Sequence, residues 1–382
     1  LGTYGGRWPA DYPAGPIAND LTAGNAAQMA AFSSRGPTDD GRIKPDIAAH
    51  GQDQMSNDPD NEYSPFGGTS AASPGIAGVL AQLYQAYREI NLEEAKAGLL
   101  KCLLLNTATD LGNTGPDFKF GWGKVNALRA LRALEEGRYM TGDISQGTAD
   151  VIDIQIPAGV KLAKVMVYWP DIEGSVLSGT ALVNDLDITV VDPNSNAHLP
   201  YLLDHSPNPT SLDAPATQGE DHLNNMEQVP LFNPTPGTYQ LQVDGTTLPF
   251  GNIDYYVCYE FLTDDVELTY PIGGEGWVPE TSERVHWDAY GTADNFVVDI
   301  STDNGLNWQQ LANVNGSSLF ISLVVPNTVT GESMVRVTRS SFTDRSDTTF
   351  SIIGVPQNLN VTEVCTDSPY LNIRLEWDSV AQ

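Results

Sequence analysis

The spacing of apolar residues changes once, near residue 140, and that change limits the folds open to this chain. Upstream, Ile76, Val79, Leu80, Leu83, Tyr84 and Tyr87 recur three and four residues apart, Leu99, Leu100, Leu103 and Leu104 give a second such face, and Ala127, Leu128, Leu131 and Leu134 a third. That is the period of helices with one buried stripe each, as expected where helices cover a parallel sheet. From about Gly142 to Thr263 the period is two, in Val165, Val167 and Trp169, in Leu186, Ile188 and Val190, in Tyr239, Leu241 and Val243, and in Tyr255, Val257, Tyr259 and Phe261. Turns rich in Pro, Gly and Asn separate these runs, which predicts a β-sandwich or jelly-roll. With 382 residues the chain has room for two to four domains, each able to bury a core.

Within the helical part, Gly67-Gly68-Thr69-Ser70 delivers a serine to the first turn of the helix that begins the apolar stripe. Unpaired backbone N–H groups and the positive end of the helix dipole favour negative charge beside that hydroxyl. An oxyanion formed during acyl transfer would gain from the same place. Gly67 and Gly68 allow close approach of backbone or substrate. Taken alone, the pattern also fits a serine that caps a helix beside an ordinary turn.

Charge excludes some functions. The chain has 49 acidic and 19 basic residues, a net charge of −30, and no Lys or Arg from Val165 through Glu283, where 19 Asp and Glu residues lie. Nucleic-acid binding and attachment to anionic lipid do not fit such a segment. No apolar run reaches transmembrane length. Leu1 opens a polar stretch without the features of a signal peptide. Cys102, Cys258 and Cys365 are odd in number and far apart, and define neither a disulfide framework nor a metal-ligand spacing.

Four blocks in order carry a family resemblance. Phe32-Ser33-Ser34-Arg35-Gly36-Pro37 with Gly41-Arg42-Ile43-Lys44-Pro45-Asp46-Ile47 come first, and Gly67 to Gly78 second. Leu104-Leu105-Asn106-Thr107-Ala108 and Gly121-Trp122-Gly123-Lys124-Val125-Asn126-Ala127 follow. Together they closely resemble the C-terminal half of the catalytic domain of subtilisin-like serine proteases (subtilases, peptidase family S8). The resemblance implies an α/β fold at residues 1–140, a partial subtilisin-like three-layer domain, followed by all-β sandwich or jelly-roll domains. It also implies that Ser70 is the nucleophile, that its backbone N–H donates to the oxyanion, and that Gly67, Gly68 and Thr69 shape the substrate-facing turn.

The family order is Asp, His, Ser, and neither partner's motif precedes Ser70 here. His50, in Ala48-Ala49-His50-Gly51, matches a loop position and not the base. Asn25, in Ala23-Gly24-Asn25, lies 45 residues before Ser70, too near it to be the family's oxyanion asparagine, and reads as a turn residue. Gly75 replaces a histidine common in the family that is not the base. The triad Asp and His are therefore expected upstream of Leu1, and the chain as given is expected to be inactive.

The β-domain, residues 141–265, carries Ala181-Leu182-Val183-Asn184-Asp185-Leu186-Asp187 and Asn224-Asn225-Met226-Glu227-Gln228-Val229, which resemble the β-domain appended to one group of large secreted subtilases. Asp185 and Asp187 are two apart on a predicted strand and share a face. With Asp221, Asn224 and Glu227 they could bind a structural calcium ion; a hydrated strand face, or carboxylates bonded to backbone N–H groups, accounts for the same residues. Catalysis needs no cofactor.

Residues 266–355 read as a further β-sandwich, resembling immunoglobulin-like modules, with Asn304-Gly305 as a hairpin turn and Trp277, Trp287 and Trp308 as core aromatics. Residues 356–382 resemble the opening of a fibronectin type III module, and both ends look cut. The function implied is a secreted serine endopeptidase acting on proteins or peptides, with cell-surface attachment possible through a region beyond residue 382. The alternative is a catalytically inactive subtilase scaffold serving as a surface binding or adhesion module.

Overall fold

The computed structural model describes residues 28–354 apart from 31 and 53, together with residues 358, 360–364, 372–376 and 378. The chain divides into two compact units, Leu1–Phe261 and Leu262–Gln382.

Among the described residues of the first unit the earliest strands form an antiparallel hairpin, β1 (Gln54–Asp58) and β2 (Glu62–Phe66), which leads through Gly67 and Gly68 into α1 (Thr69–Asn91). Gly68 caps this helix at φ +108°, a conformation open to glycine and costly for a residue with a Cβ. α1 buries Ala71, Leu83 and Tyr87, and ends where Leu92 turns left-handed with its N–H on the Arg88 carbonyl. α2 (Ala97–Asn106) and α3 (Ala127–Glu135) follow; Asn126 starts α3 by accepting the Arg129 N–H at 3.1 Å. Seven of the ten residues of α2 are buried, because α1 and α3 lie against it on one side and a sheet on the other.

That sheet belongs to a β-sandwich. Its first layer has the order β10-β5-β12-β3 and its second β4-β11-β6-β7; β10 with β5, β12 with β3, and the pairs of the second layer run antiparallel. The strands are β3 (Tyr139–Ile144), β4 (Ala149–Ile156), β5 (Val160–Tyr168), β6 (Asp185–Val191), β7 (Ala197–His198), β10 (Met226–Phe232), β11 (Gly237–Thr247) and β12 (Ile253–Thr263). A small excursion between β7 and β10 holds β8 (Tyr201–Leu202) paired with β9 (Thr217–Gln218), and the short helix α4 (Pro209–Leu212).

Strand β5 shows why the sandwich and the helices are one unit. Val165 and Val167 point into the sandwich with Ile188, Val229, Leu241 and Val257, while Met166 and Tyr168 point outward into a second core shared with Leu99, Leu103, Leu134 and Trp122. Both faces are dry, so every residue from Ala163 to Tyr168 is buried. The two-residue period anticipated the inner face and gave no sign of the outer one. Nor is there a parallel sheet under the helices among the described residues of this unit. The isolated bridge Ala48–Lys124 is parallel, while in the sheet that α2 covers β10 runs antiparallel to β5 and β12 to β3.

The second unit faces β13-β15-β18 against β14-β21-β19-β16-β17, with β20 pairing beside β19. Here β13 is Asp265–Tyr270, β14 Gly276–Trp277, β15 Ser282–Tyr290, β16 Phe296–Ser301 and β17 Gln309–Val314. β18 is Phe320–Val324, β19 Thr330–Arg339, β20 Phe342–Arg345 and β21 Phe350–Ile352. A final hairpin pairs β22 (Asn360–Val364) with β23 (Asn372–Glu376). Trp277, Trp287, Phe296, Val335 and Phe350 fill the core between the two sheets. Trp308 departs from the expected core position: it is half-buried beneath the Arg336 guanidinium, 4.4 Å from its ring centre. Asn304 and Gly305 take φ +56° and +78°, the signs that a type I′ turn requires. Among the described residues no helix is long and apolar enough to cross a membrane.

Candidate functional site

Ser70 is the second residue of α1 and is exposed. Gly68, not Ser70, occupies the capping position, and no side chain caps this helix. The serine hydroxyl is therefore not consumed by the helix. First-turn geometry leaves the amides of Thr69 and Ser70 without intrahelical carbonyls, while Ala71 N–H bonds back to the Gly68 carbonyl at 3.0 Å. Pro74 has no N–H to offer the Ser70 carbonyl one turn back, so the serine's own peptide is lightly tied at both ends.

The turn is held from outside. Gly68 N–H donates to the Gly51 carbonyl at 2.7 Å, and a Cβ on Gly51 would come within 2.9 Å of the Gly68 oxygen. The loop is thus seated against the helix start at a position where only glycine fits, a constraint the sequence reading missed; Gly51, adjacent to a conspicuous histidine, was its available signal. At Gly67 an added Cβ would meet nothing nearer than 3.5 Å. His50 is exposed, its Nε2 against the Gln52 carbonyl, and no hydrogen bond joins it to Ser70. Asn25 lies outside the described residues.

Two of the distant sequence blocks meet behind this turn. Trp122 N–H bonds the Asp46 carbonyl at 3.0 Å, Ala48 N–H the Gly123 carbonyl at 2.9 Å, and Val125 N–H the Ala48 carbonyl at 2.9 Å. Asp46 is further held by Lys101 of α2 at 3.0 Å and by Lys44. Burial works to raise the Asp46 pKa, and the two lysines outweigh it, keeping the carboxylate below its ordinary value. The block ending at Ile47 is thereby fixed to both α2 and the segment that starts α3.

At the β6 end of the sandwich lies a cluster of carboxylates. Asp185 and Asp187 point to one side of β6, and His222 Nδ1 lies 2.9 Å from Asp185 Oδ2 and 3.5 Å from Asp187 Oδ1. Glu227, 1% exposed on β10, accepts the Ile188 N–H through Oε2 at 3.0 Å. Three buried oxygens, Asp185 Oδ1, Asp187 Oδ1 and Glu227 Oε1, have no hydrogen-bond partner. Burial and then the charge of Asp187 push Asp185 up to about 6, against the pull of His222. Burial and the charges of Asp221, Asp187 and Asp185 push Glu227 well above the usual carboxylate range. Burial would lower the His222 pKa, but the charges of Asp185, Asp187 and Glu220 prevail and raise it. Like charges held together with unpaired oxygens fit a site for a divalent cation.

The remaining expected ligands are used differently. Asp221, 1% exposed, accepts the N–H groups of Leu223 and Asn224 and the Asn224 side-chain amide at 2.7 Å. Asn224 spends its oxygen on the Ile43 N–H at 2.8 Å. This ties the cluster's loop to the Arg42-Ile43-Lys44-Pro45 block across 181 residues of sequence. His222 was not among the expected ligands; its sequence signal was adjacency to Asp221 in a segment without Lys or Arg.

Residues 4–123 match the Subtilase family. C5a peptidase of Streptococcus pyogenes serotype M18 (strain MGAS8232) is 36% identical over 122 residues, covering 30% of this chain and 10% of that protein. Minor extracellular protease Vpr of Bacillus subtilis (strain 168) is 31% identical over 172 residues, 41% of this chain and 21% of that protein. The match thus spans a tenth to a fifth of these relatives. Among solved structures, the adhesin domain of Epf from Streptococcus pyogenes aligns at a TM-score of 0.22 and 10% identity, over 58% of this chain and 78% of that one, and at that score carries no argument. The similarity to subtilases lies in the first third of the chain.

Proposed function

We propose that this chain is the nucleophile-bearing part of a secreted subtilisin-like serine endopeptidase, followed by accessory β-domains. The observation that carries the reading is Ser70 itself. It is exposed and uncommitted on the first turn of a long helix, within sequence that matches the subtilases. Its Oγ would attack the scissile carbonyl as a histidine base takes the proton, giving an acyl-enzyme that water hydrolyses. The Ser70 N–H would donate to the oxyanion. A histidine base and its orienting Asp would complete the triad, and the substrates would be proteins or peptides.

The surface of α1 supports a partial α/β domain. Ser73, Ala77, Gly78 and Ala81 are exposed, and a Cβ on Gly75 or Gly78 would meet nothing within 4 Å. Small residues along a helix suit close packing by a further layer, which a parallel sheet would supply. We assign the cluster on β6 to a structural calcium ion held by Asp185, Asp187 and Glu227, with Asp221 and Asn224 bracing it. The second unit is read as an immunoglobulin-like module, the last hairpin as the start of a fibronectin type III module, and the location as extracellular or at the cell surface.

The second reading is an inactive scaffold for surface binding; His50, the histidine nearest in sequence before Ser70, is held against the Gln52 carbonyl instead. A fluorophosphonate probe on the full-length protein separates the two. Labelling that disappears in Ser70→Ala, together with loss of casein hydrolysis, is expected for the protease. An unlabelled protein whose properties Ser70→Ala leaves unchanged refutes it.

A further inference from the structure

The ligand atoms of Asp185, Asp187 and His222 all lie within 4.8 Å of one another. An ion about 2.1 Å from each of its ligands holds them about 3 to 4 Å apart. The Nδ1 separation of 3.5 Å from Asp187 Oδ1 falls in that range, and the 2.9 Å contact with Asp185 Oδ2, a hydrogen bond here, lies at its lower edge. One member of the group is a ring nitrogen rather than an oxygen. Glu220 Oε2 lies 3.9 Å from Nε2, beyond hydrogen-bond reach, and adds negative charge beside the ring. Buried Glu227 adds an unpartnered oxygen, and its charge is opposed by those of both aspartates.

We propose that this cluster is a mixed oxygen and nitrogen site, and that His222 lets it bind a first-row transition ion such as Mn2+, Co2+ or Zn2+ in place of calcium. The inference rests on the cluster being a cation site. Calcium takes oxygen ligands in flexible arrangements and gains little from imidazole, whereas manganese, cobalt and zinc accept two carboxylates and an imidazole readily. His222 is half exposed on a loop, so its ring can join the ion or leave it as the ion demands. The site would then report which divalent ion dominates its surroundings, and would brace the Asn224–Ile43 link in either form.

The test uses the full chain and its His222→Gln and Asp187→Asn variants. Co2+ is titrated by visible absorption and Ca2+ by calorimetry, with Ca2+ also added to the Co2+-loaded protein. The expected result is Co2+ bound to the wild type with d–d bands whose positions shift when His222 is replaced, and displaced by excess Ca2+. Affinity for Co2+ should fall at least about tenfold in His222→Gln with Ca2+ affinity held within about threefold, and Asp187→Asn should weaken both ions. Equal Co2+ binding by wild type and His222→Gln, or Ca2+ binding without Co2+ binding, overturns the proposal and leaves the calcium reading standing. Binding of neither ion overturns both.

Discussion

Lys164→Met tests how the helical segment is fastened to the sandwich. Lys164 and Glu260 are both nearly buried, at 8% and 4% exposure, with Nζ 2.8 Å from Glu260 Oε2. The alignment of that contact does not make a hydrogen bond, so the pair is held by charge; the ammonium's bond goes to the Ala108 carbonyl just beyond α2, at 3.1 Å. Asn106 reaches the Lys164 carbonyl at 3.4 Å and receives the Gln228 amide at 2.8 Å. Lys164→Met strands a buried carboxylate and a buried carbonyl at once. Losing one member of a buried pair costs about 3 to 5 kcal/mol. For a unit of this size that is a fall of about 6 to 20 °C in Tm. Replacing both members, as Lys164→Met with Glu260→Met, removes the stranded charge and leaves only the Ala108 carbonyl, at about 1 to 3 kcal/mol. Urea unfolding and calorimetry of the full chain, read on the transition of the first unit, give both values. A loss below about 1 kcal/mol in Lys164→Met, or a double variant no more stable than the single, would refute the argument that a desolvated charge pair seats α2.

Further outcomes follow from the cluster and from the turn behind the serine. The folded pKa of Asp185, about 6, lies above its ordinary 3.8, and Asp221, Glu227 and His222 are also raised. A raised folded pKa contributes stability that is full below the unfolded value and lost as pH rises through the folded one. In EDTA the protein should therefore melt lower at pH 7.5 than at pH 5, with calcium restoring more at pH 7.5; an EDTA melting point that rises over this interval would contradict the cluster's role. At Gly121, φ +63°, a Cβ would collide with the backbone carbonyls of Pro45 and Asp46. Gly121→Ala should cost more than about 3 kcal/mol in urea unfolding, since backbone strain adds to a clash that flexible side chains cannot relieve. A cost under about 1 kcal/mol would mean that the two blocks do not meet as described.

Much of the local structure was legible because it is encoded locally. The helix at Ser70 follows from a glycine able to take φ +108° before a three- and four-residue apolar period. The Asn304-Gly305 turn follows from two residues that tolerate positive φ. Asp185 and Asp187 share a side of β6 because strand side chains alternate.

Sequence by itself thus determined the period of each element, the glycine turn before the serine, the acidic stretch without Lys or Arg, and the four blocks that resemble the subtilases. Only the tertiary structure decided what those elements rest on. It wrapped β5 on both faces, joined Lys164 to the end of α2, brought Gly51 under Gly68, and turned His222 toward Asp185 across 37 residues. The reason is physical: a residue's spacing fixes which side of its own strand or helix it faces, but its partner is chosen by packing and desolvation across distant segments, which no local pattern records.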